Sequence, residues 1–317
     1  MAGLTAARAL TRQGWDTVVL DKGRGLGGRL ATRRFGPDTG RSTAGRADHG
    51  AQALRAESSA FASWLAESAQ TGLLQPWPGR TGEWIAPAGL SAVAKYLAAD
   101  LTVHTGQLVN AVAATATGWT VTTESGAAFS ANALLCTIPA PQALALVQQG
   151  EYVATAADQA VLAGIAYDPC LTALVQLSAP SNVPAPGGHW LRDRAVEWVA
   201  DNQQKGISPD WPTLTVQAGA AFSQTWLEGD LTEAGRVLLA ELADWIPADR
   251  IETVQMHRWR YSQTRQGHPA PFWAADAPHP LLFGGDGFGG IGPFDARLGV
   301  ERAYASGCAM AAALTSR

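Results

Sequence analysis

The sequence predicts a two-part α/β protein, and three observations predict it. The chain opens on a helix pattern followed by a β-branched strand that ends in an acid. Near its other end, a short apolar strand runs into a glycine-rich turn and then a helix of small residues. Between them, a stretch with the Pro-rich Ala179–Gly188 and a helix pattern over Thr232–Trp245 reads as a second part, an antiparallel sheet covered by helices. With 317 residues, 47% hydrophobic and 16% charged, the chain has apolar surface for one or two cores, which excludes disorder.

Net charge is −4 and the pI about 5.9, so nothing favours nucleic acid or an anionic membrane as a partner. The three cysteines, Cys136, Cys170 and Cys308, lack C-x-x-C spacing, so no zinc site and no disulfide framework is expected. Met1–Gln13 has no signal-peptide core and carries Arg8 and Arg12. The uncharged stretch Ser125–Gly150 is broken by Asn132, Pro139 and Pro141, which argues against a spanning helix. A cytoplasmic location is the expectation; the oligomeric state is left open.

In the opening segment, Leu4, Ala7 and Leu10 form an apolar helix face, and Gly14 marks its end. Thr17–Leu20 reads as a strand and delivers Asp21 and Lys22 at its tip. Helix, strand, acid is the second half of a dinucleotide-binding βαβ unit, in which the acid accepts hydrogen bonds from a ribose. Gly3 is placed as the third glycine of a G-x-G-x-x-G fingerprint. That reading expects a first strand and two further glycines before Met1. The alternative is an ordinary helix and strand with a chance acid.

Gly23–Arg29 follows at once, ending in Gly27-Gly28-Arg29. Backbone passing close to a diphosphate excludes side chains, while an arginine can neutralise phosphate charge. Residue by residue, Asp21, Gly27, Gly28 and Arg29 resemble the FAD-binding segment of glutathione-reductase-like and amine-oxidase-like flavoproteins. At the other end, Leu281–Phe283 leads into Gly284-Gly285-Asp286-Gly287. After a loop with Gly292 and Pro293, Leu298-Gly299-Val300 starts the small-residue helix. This resembles the second flavin motif of the same superfamily, in which Asp286 would bond the ribityl or diphosphate region. The helix N-terminus would favour negative charge on the flavin.

Further along, Val103–Val112 and Trp119–Thr123 alternate, Ala133–Thr137 is a strand, and Trp84–Ser91 runs from loop into helix with Ser91 near the cap. Such a meander implies, by the resemblance, that the backbone near Val109 meets adenine. Four motifs occur in order: Gly28–Arg34, Asp48–Gln52, His257–Tyr261 and Gly285–Phe288. Together they resemble the renalase-like family of FAD-dependent oxidoreductases, within the flavin-containing amine oxidase superfamily. That likeness implies a Rossmann-type FAD-binding domain and an α+β substrate domain of the p-hydroxybenzoate-hydroxylase kind. It also implies oxidation of 2- and 6-dihydro-NAD(P) to NAD(P)⁺ with O₂ becoming H₂O₂. Two departures touch substrate fit: Ala53 and Leu54 replace the aromatics usual after the D-H-G-A-Q run, and Gly36–Ala47 reads as lengthened and polar.

Hydride transfer needs stacking and a dry pocket rather than a strong base. His49, Gln52, Arg260 and Tyr261 are the catalytic candidates, and Trp190, Trp198, Phe272 and Trp273 are candidate walls. His257 reads rather as a supporting hydrogen-bonder. Arg258 and Arg260 could meet a diphosphate or an acidic side chain. An FAD-dependent amine oxidase is the first alternative. Its usual flavin-side lysine finds no counterpart, since Lys22 belongs by the ribose, Lys95 on an outer helix and Lys205 in a polar loop. The second alternative is a non-catalytic remnant with little or no FAD. Residues 1–60, 100–150 and 277–317 are expected to form the FAD domain, and 61–99 with 151–276 the substrate domain.

Overall fold

A computed structural model describes residues 1–36, 45–148, 150–290 and 295–316. Gly292 and Pro293, and most of the polar Gly36–Ala47 stretch, lie outside the described residues. The chain divides into two compact units. The first is Met1–Gly28, Ala94–Tyr167 and Thr264–Arg317; the second is Arg29–Val93 and Asp168–Gln263. These boundaries differ from the expected 1–60, 100–150, 277–317 against 61–99, 151–276. The reasons are local. The hairpin of Thr32–Arg34 and Arg46–Asp48 is bonded to the Thr213–Ala218 strand, which carries residues 29–60 into the second unit. Asp158 takes the Trp273 indole N–H and Asp286 the Thr264 hydroxyl, which holds 151–167 and 264–276 in the first.

In the first unit, the Ala2–Thr11 helix buries Leu4, Ala7 and Leu10 and is capped by Arg12, and the turn after it includes Gly14 at φ +87°. It leads into the Val18–Asp21 strand, which pairs in parallel with Thr102–Thr105. A second parallel ladder joins Leu134–Cys136 to Leu281–Phe283, and Trp273–Ala274 adds an antiparallel edge. The helices Ala2–Thr11 and Gly299–Thr315 pack together over a core of Ala6, Leu10, Leu282, Met310 and Leu314. Gly3 sits where an added Cβ would be 2.8 Å from Thr137 Oγ1, so the helix passes close to the end of the Leu134–Cys136 strand. Val103–Val112 is not one strand. Gly106, at φ +70°, breaks it, and Val109–Ala114 opens a separate antiparallel meander with Trp119–Thr123 and Ala128–Ala131.

The second unit is built on a five-stranded sheet in the order Gly188–Trp190, Val196–Asp201, Thr213–Ala218, Ala166–Leu177, Ile251–Gln266. Its core holds Leu171, Val175, Val199, Val216 and Leu238. The helix expected to run from Thr232 to Trp245 spans Leu231–Ala240, capped by the Asp230 carboxylate on the Thr232 N–H at 2.7 Å. Among the described residues, no helix is long and apolar enough to cross a membrane.

Candidate functional site

The first unit gathers the residues suited to a dinucleotide. Asp21, at the strand tip, accepts the Gly23 N–H at 2.7 Å and so turns the chain into the glycine run. Lys22 is exposed beside it. At Gly25 and Gly28 an added Cβ would meet nothing within 4 Å, and Gly27 and Gly28 have φ of +129° and +52°. At the other end, Gly284 through Phe288 are buried. The Asp286 carboxylate accepts Thr264 Oγ1–H at 3.0 Å, and Ser306 Oγ accepts the Gly285 N–H at 2.9 Å. The Gly299–Thr315 helix begins at Leu298 with no side-chain cap. The 3-10 turn Ala296–Leu298 runs straight into it, and an ideal Cβ on Gly299 would lie 4.0 Å from Asp286 Oδ2. Open backbone at Gly25 and Gly28 and a helix start without a side-chain cap fit a diphosphate, while the Asp21 and Asp286 carboxylates fit hydroxyl donors of a dinucleotide. Val109 starts the meander, half-buried, paired with Thr123.

In the second unit, the Asp48–Gln52 run leaves the end of its hairpin and is held mainly by side chains. Asp48, fully buried, accepts the Thr32 hydroxyl at 2.6 Å and the Leu90 N–H at 2.9 Å on one oxygen. Its other oxygen takes the Lys205 ammonium at 2.8 Å. Thr32 Oγ1 in turn accepts the Ser91 N–H at 3.0 Å. The helix starting at Ser91 is thus capped by Asp48 and Thr32 from another segment. Three alternate residues of one strand reach alternate carbonyls of the run. Thr213 donates to Arg46 O at 2.5 Å, Thr215 to Asp48 O at 2.8 Å and Gln217 to Gly50 O at 2.8 Å. Gln52 closes the turn by donating to Asp48 O and Gly50 O at 2.7 and 3.0 Å. Gly50 admits no side chain, because a Cβ there would stand 2.1 Å from Arg29 O.

This frame projects His49 onto His257. Their rings stack at 4.7 Å with a 5° interplanar angle, and Trp259 meets both edgewise at 5.2 and 4.3 Å. The Trp259 indole N–H donates to His49 O at 2.7 Å. Burial, then the charges of His257 and Arg33, hold His49 down at about 4. Burial first and Arg33 second also lower His257. Both imidazoles are therefore neutral at pH 7. Nδ1 of His49 and Oε1 of Gln52 are buried and find no hydrogen-bond partner among the described residues.

The candidate residues do not all converge. His257, Trp259 and Tyr261 share one face of their strand by its two-residue period, whereas Arg258 and Arg260 occupy the other. Arg260 pairs with Glu228 at an exposed site, and Arg258 donates to Gly229 O at 3.3 Å. Arg29 donates to Ser262 O at 3.0 Å. Trp198 is core beside Trp77, Trp190 leans on it at 4.9 Å, and Trp273 donates to Asp158. Phe272 packs at the margin of the first unit's helical core. Lys205 is no loop residue. It ends the one-turn helix Asn202–Lys205 and is wholly buried, with burial lowering its pKa and Asp48 opposing that shift. Lys95 is exposed on the Ser91–Ala98 helix.

Sequence reasoning missed Thr32, Lys205, Thr213, Thr215 and Gln217. The signal was the alternation Thr213-Leu-Thr215-Val-Gln217, whose polar face reads as solvent-facing but is turned inward here.

Comparisons with known proteins agree with this layout. The profile of the flavin containing amine oxidoreductase family matches residues 48–315, and that of the NAD(P)-binding Rossmann-like domain matches residues 1–67. Mouse (Mus musculus) renalase is 26% identical over 301 residues, covering 84% of each chain. Putrescine oxidase solved with putrescine superposes with a TM-score of 0.64 at 14% identity, over 100% of this chain and 97% of that one. Cyclohexylamine oxidase from Brevibacterium oxydans IH-35A gives 0.64 at 12% identity, over 99% and 97%. A solved Exiguobacterium sp. 255-15 chain matches at 0.56 and 15% identity over 74% of this chain, which spans 52% of that one. These structures show a shared α/β fold with a Rossmann-like domain.

Proposed function

This chain belongs to the flavin containing amine oxidoreductase family, and from that premise we propose that it is an FAD-dependent oxidase of 2- and 6-dihydro-NAD(P). FAD, when bound, supplies the acceptor for one hydride from the dihydropyridine, and O₂ with one proton leaves as H₂O₂ while NAD(P)⁺ is released. In this reading Asp21 and Lys22 take the ribose, Gly27 and Gly28 give the diphosphate room, and Asp286 with the Leu298–Val300 helix start holds the flavin end. His49 and Gln52 line the substrate side, together with the His257–Trp259–Tyr261 strand face. Arg260 is given an ion-pairing role with Glu228.

The observation that carries the reading is the geometry of the His49 cluster, with the His49 and His257 rings stacked at 4.7 Å and Trp259 edge-on to both. Burial first keeps both imidazoles neutral, and the exposed Arg33 guanidinium adds positive charge nearby. Such a surface suits a planar ring on a molecule bearing phosphates. A protonated amine would call for a carboxylate instead. Lys205 is committed to Asp48, so it serves no amine-oxidising role. The 26% identity with mouse renalase points the same way.

The test is chemical. Purified protein should release FAD near one per chain and form H₂O₂ with 2-dihydro-NAD faster than with benzylamine or dopamine. Faster turnover of amines would install the amine-oxidase reading, and a colourless, FAD-free protein would install the remnant.

A further inference from the structure

We propose that Lys205 is a positioning residue, which fixes the Asp48–Gln52 run and with it the placement of His49. The role rests on the substrate-side reading of His49 given above. The short helix that carries Lys205 grips the Asp48 residue twice. One grip is the ammonium on the carboxylate at 2.8 Å, with the Trp77 ring 5.1 Å from the nitrogen. The other runs through Asn202, fully buried, whose amide donates to Thr215 Oγ1 at 3.2 Å, while that hydroxyl donates to Asp48 O. The helix itself is set by Asp201, which accepts the Gln203 and Gln204 N–H groups at 2.9 and 3.0 Å, and by Gly206 at φ +89°. Its position therefore does not depend on Lys205.

The geometry makes Asp48 a hub. Two strands, one helix start and one buried cation converge on a single residue adjacent in sequence to His49. Of the three groups on the Asp48 carboxylate only Lys205 carries charge, and a buried carboxylate that loses its cation is costly and turns towards its remaining partners. Turning it strains the peptide that carries His49, whose carbonyl takes Thr215 and Gln52 and whose N–H donates to Ala31 O at 3.2 Å. Lys205 itself need touch neither substrate nor flavin.

The experiment uses the full chain with its flavin and compares wild type, Lys205→Met and the neutral double variant Asp48→Asn with Lys205→Met. The double variant removes both charges and leaves an amide oxygen at position 48 to keep the Thr32 and Leu90 bonds. His49 is followed by NMR titration, a readout that needs no turnover, and kcat/KM for 2-dihydro-NAD is measured beside FAD content. The expected result is a folded double variant with FAD content unchanged. Its His49 titration should rise from about 4 towards the ordinary histidine value, and kcat/KM should fall ~10-fold or more, the size of effect that small misplacements produce. A folded double variant with native His49 titration and native kcat/KM overturns the proposal. Failure of both variants to fold also overturns it, leaving the pair as a stability element alone. If the wild type oxidises no dihydronicotinamide, the functional reading fails while the NMR arm still reports on the positioning.

Discussion

The two units solve the problem of building a site in different ways. In the first, main chain does most of the work. Glycines clear space, a helix starts without a side-chain cap, and one acid lies at or just past a strand at each end, Asp21 closing Val18–Asp21 and Asp286 three residues beyond Phe283. In the second, side chains from positions 32, 48, 205, 213, 215, 217, 257 and 259 meet around a short run that continues past the end of its hairpin. Main-chain sites depend on local spacing. Side-chain sites depend on which distant strands happen to become neighbours.

The sharpest way to break this contrast is to attack the second unit's hub. Lys205→Met alone orphans a carboxylate with no exposure, which should destabilise the protein by about 3–5 kcal/mol, read by chemical denaturation. A loss under about 1 kcal/mol would mean that water or a shifted group reaches Asp48. Next in size is the pH response. Unfolded His49 binds its proton near 6.5 and the folded residue only near 4. Its contribution to stability is complete above pH 6.5 and is lost as the pH falls to about 4. The full loss is about 3 kcal/mol. His49→Gln should flatten the stability profile across that window.

Moving to the first unit, Asp286→Ala should weaken FAD retention about 10- to 100-fold, measured by flavin titration, and leave the His49 titration untouched. Movement of His49 in that variant would dissolve the division of labour. Thr215→Val keeps shape but leaves Asp48 O and the Asn202 amide each short of a bond, a cost of about 1–2 kcal/mol. Smallest of all, Arg260→Gln breaks only an exposed pair with Glu228 and should leave the melting temperature unchanged by calorimetry.

The same contrast explains which features are legible in the sequence. Leu281–Phe283 is a strand and Gly299–Thr315 a helix, in line with their patterns, because each is set by its own apolar spacing. Asp21 falls at a strand tip and Gly3 at a close approach to Thr137, and the helix and strand that carry them are set by short-range spacing. Lys205 is hidden for the opposite reason. A lysine among Asn, Gln and Ser looks solvated, and only its pairing with a residue 157 positions away makes its burial possible. The same holds for Thr215, whose buried partner lies 167 positions away. Arg260 lies in the same tetrapeptide run as His257 and Trp259, but the strand's alternation sends it to the other face.

The most direct measurement is anaerobic mixing of the purified, flavin-loaded protein with 2-dihydro-NAD, followed at the oxidised flavin absorbance. Bleaching should be faster than with benzylamine or dopamine at equal concentration, with NAD⁺ formed one for one with flavin reduced. Flavin that bleaches with amines and stays yellow with the dihydronicotinamide would contradict the proposed activity.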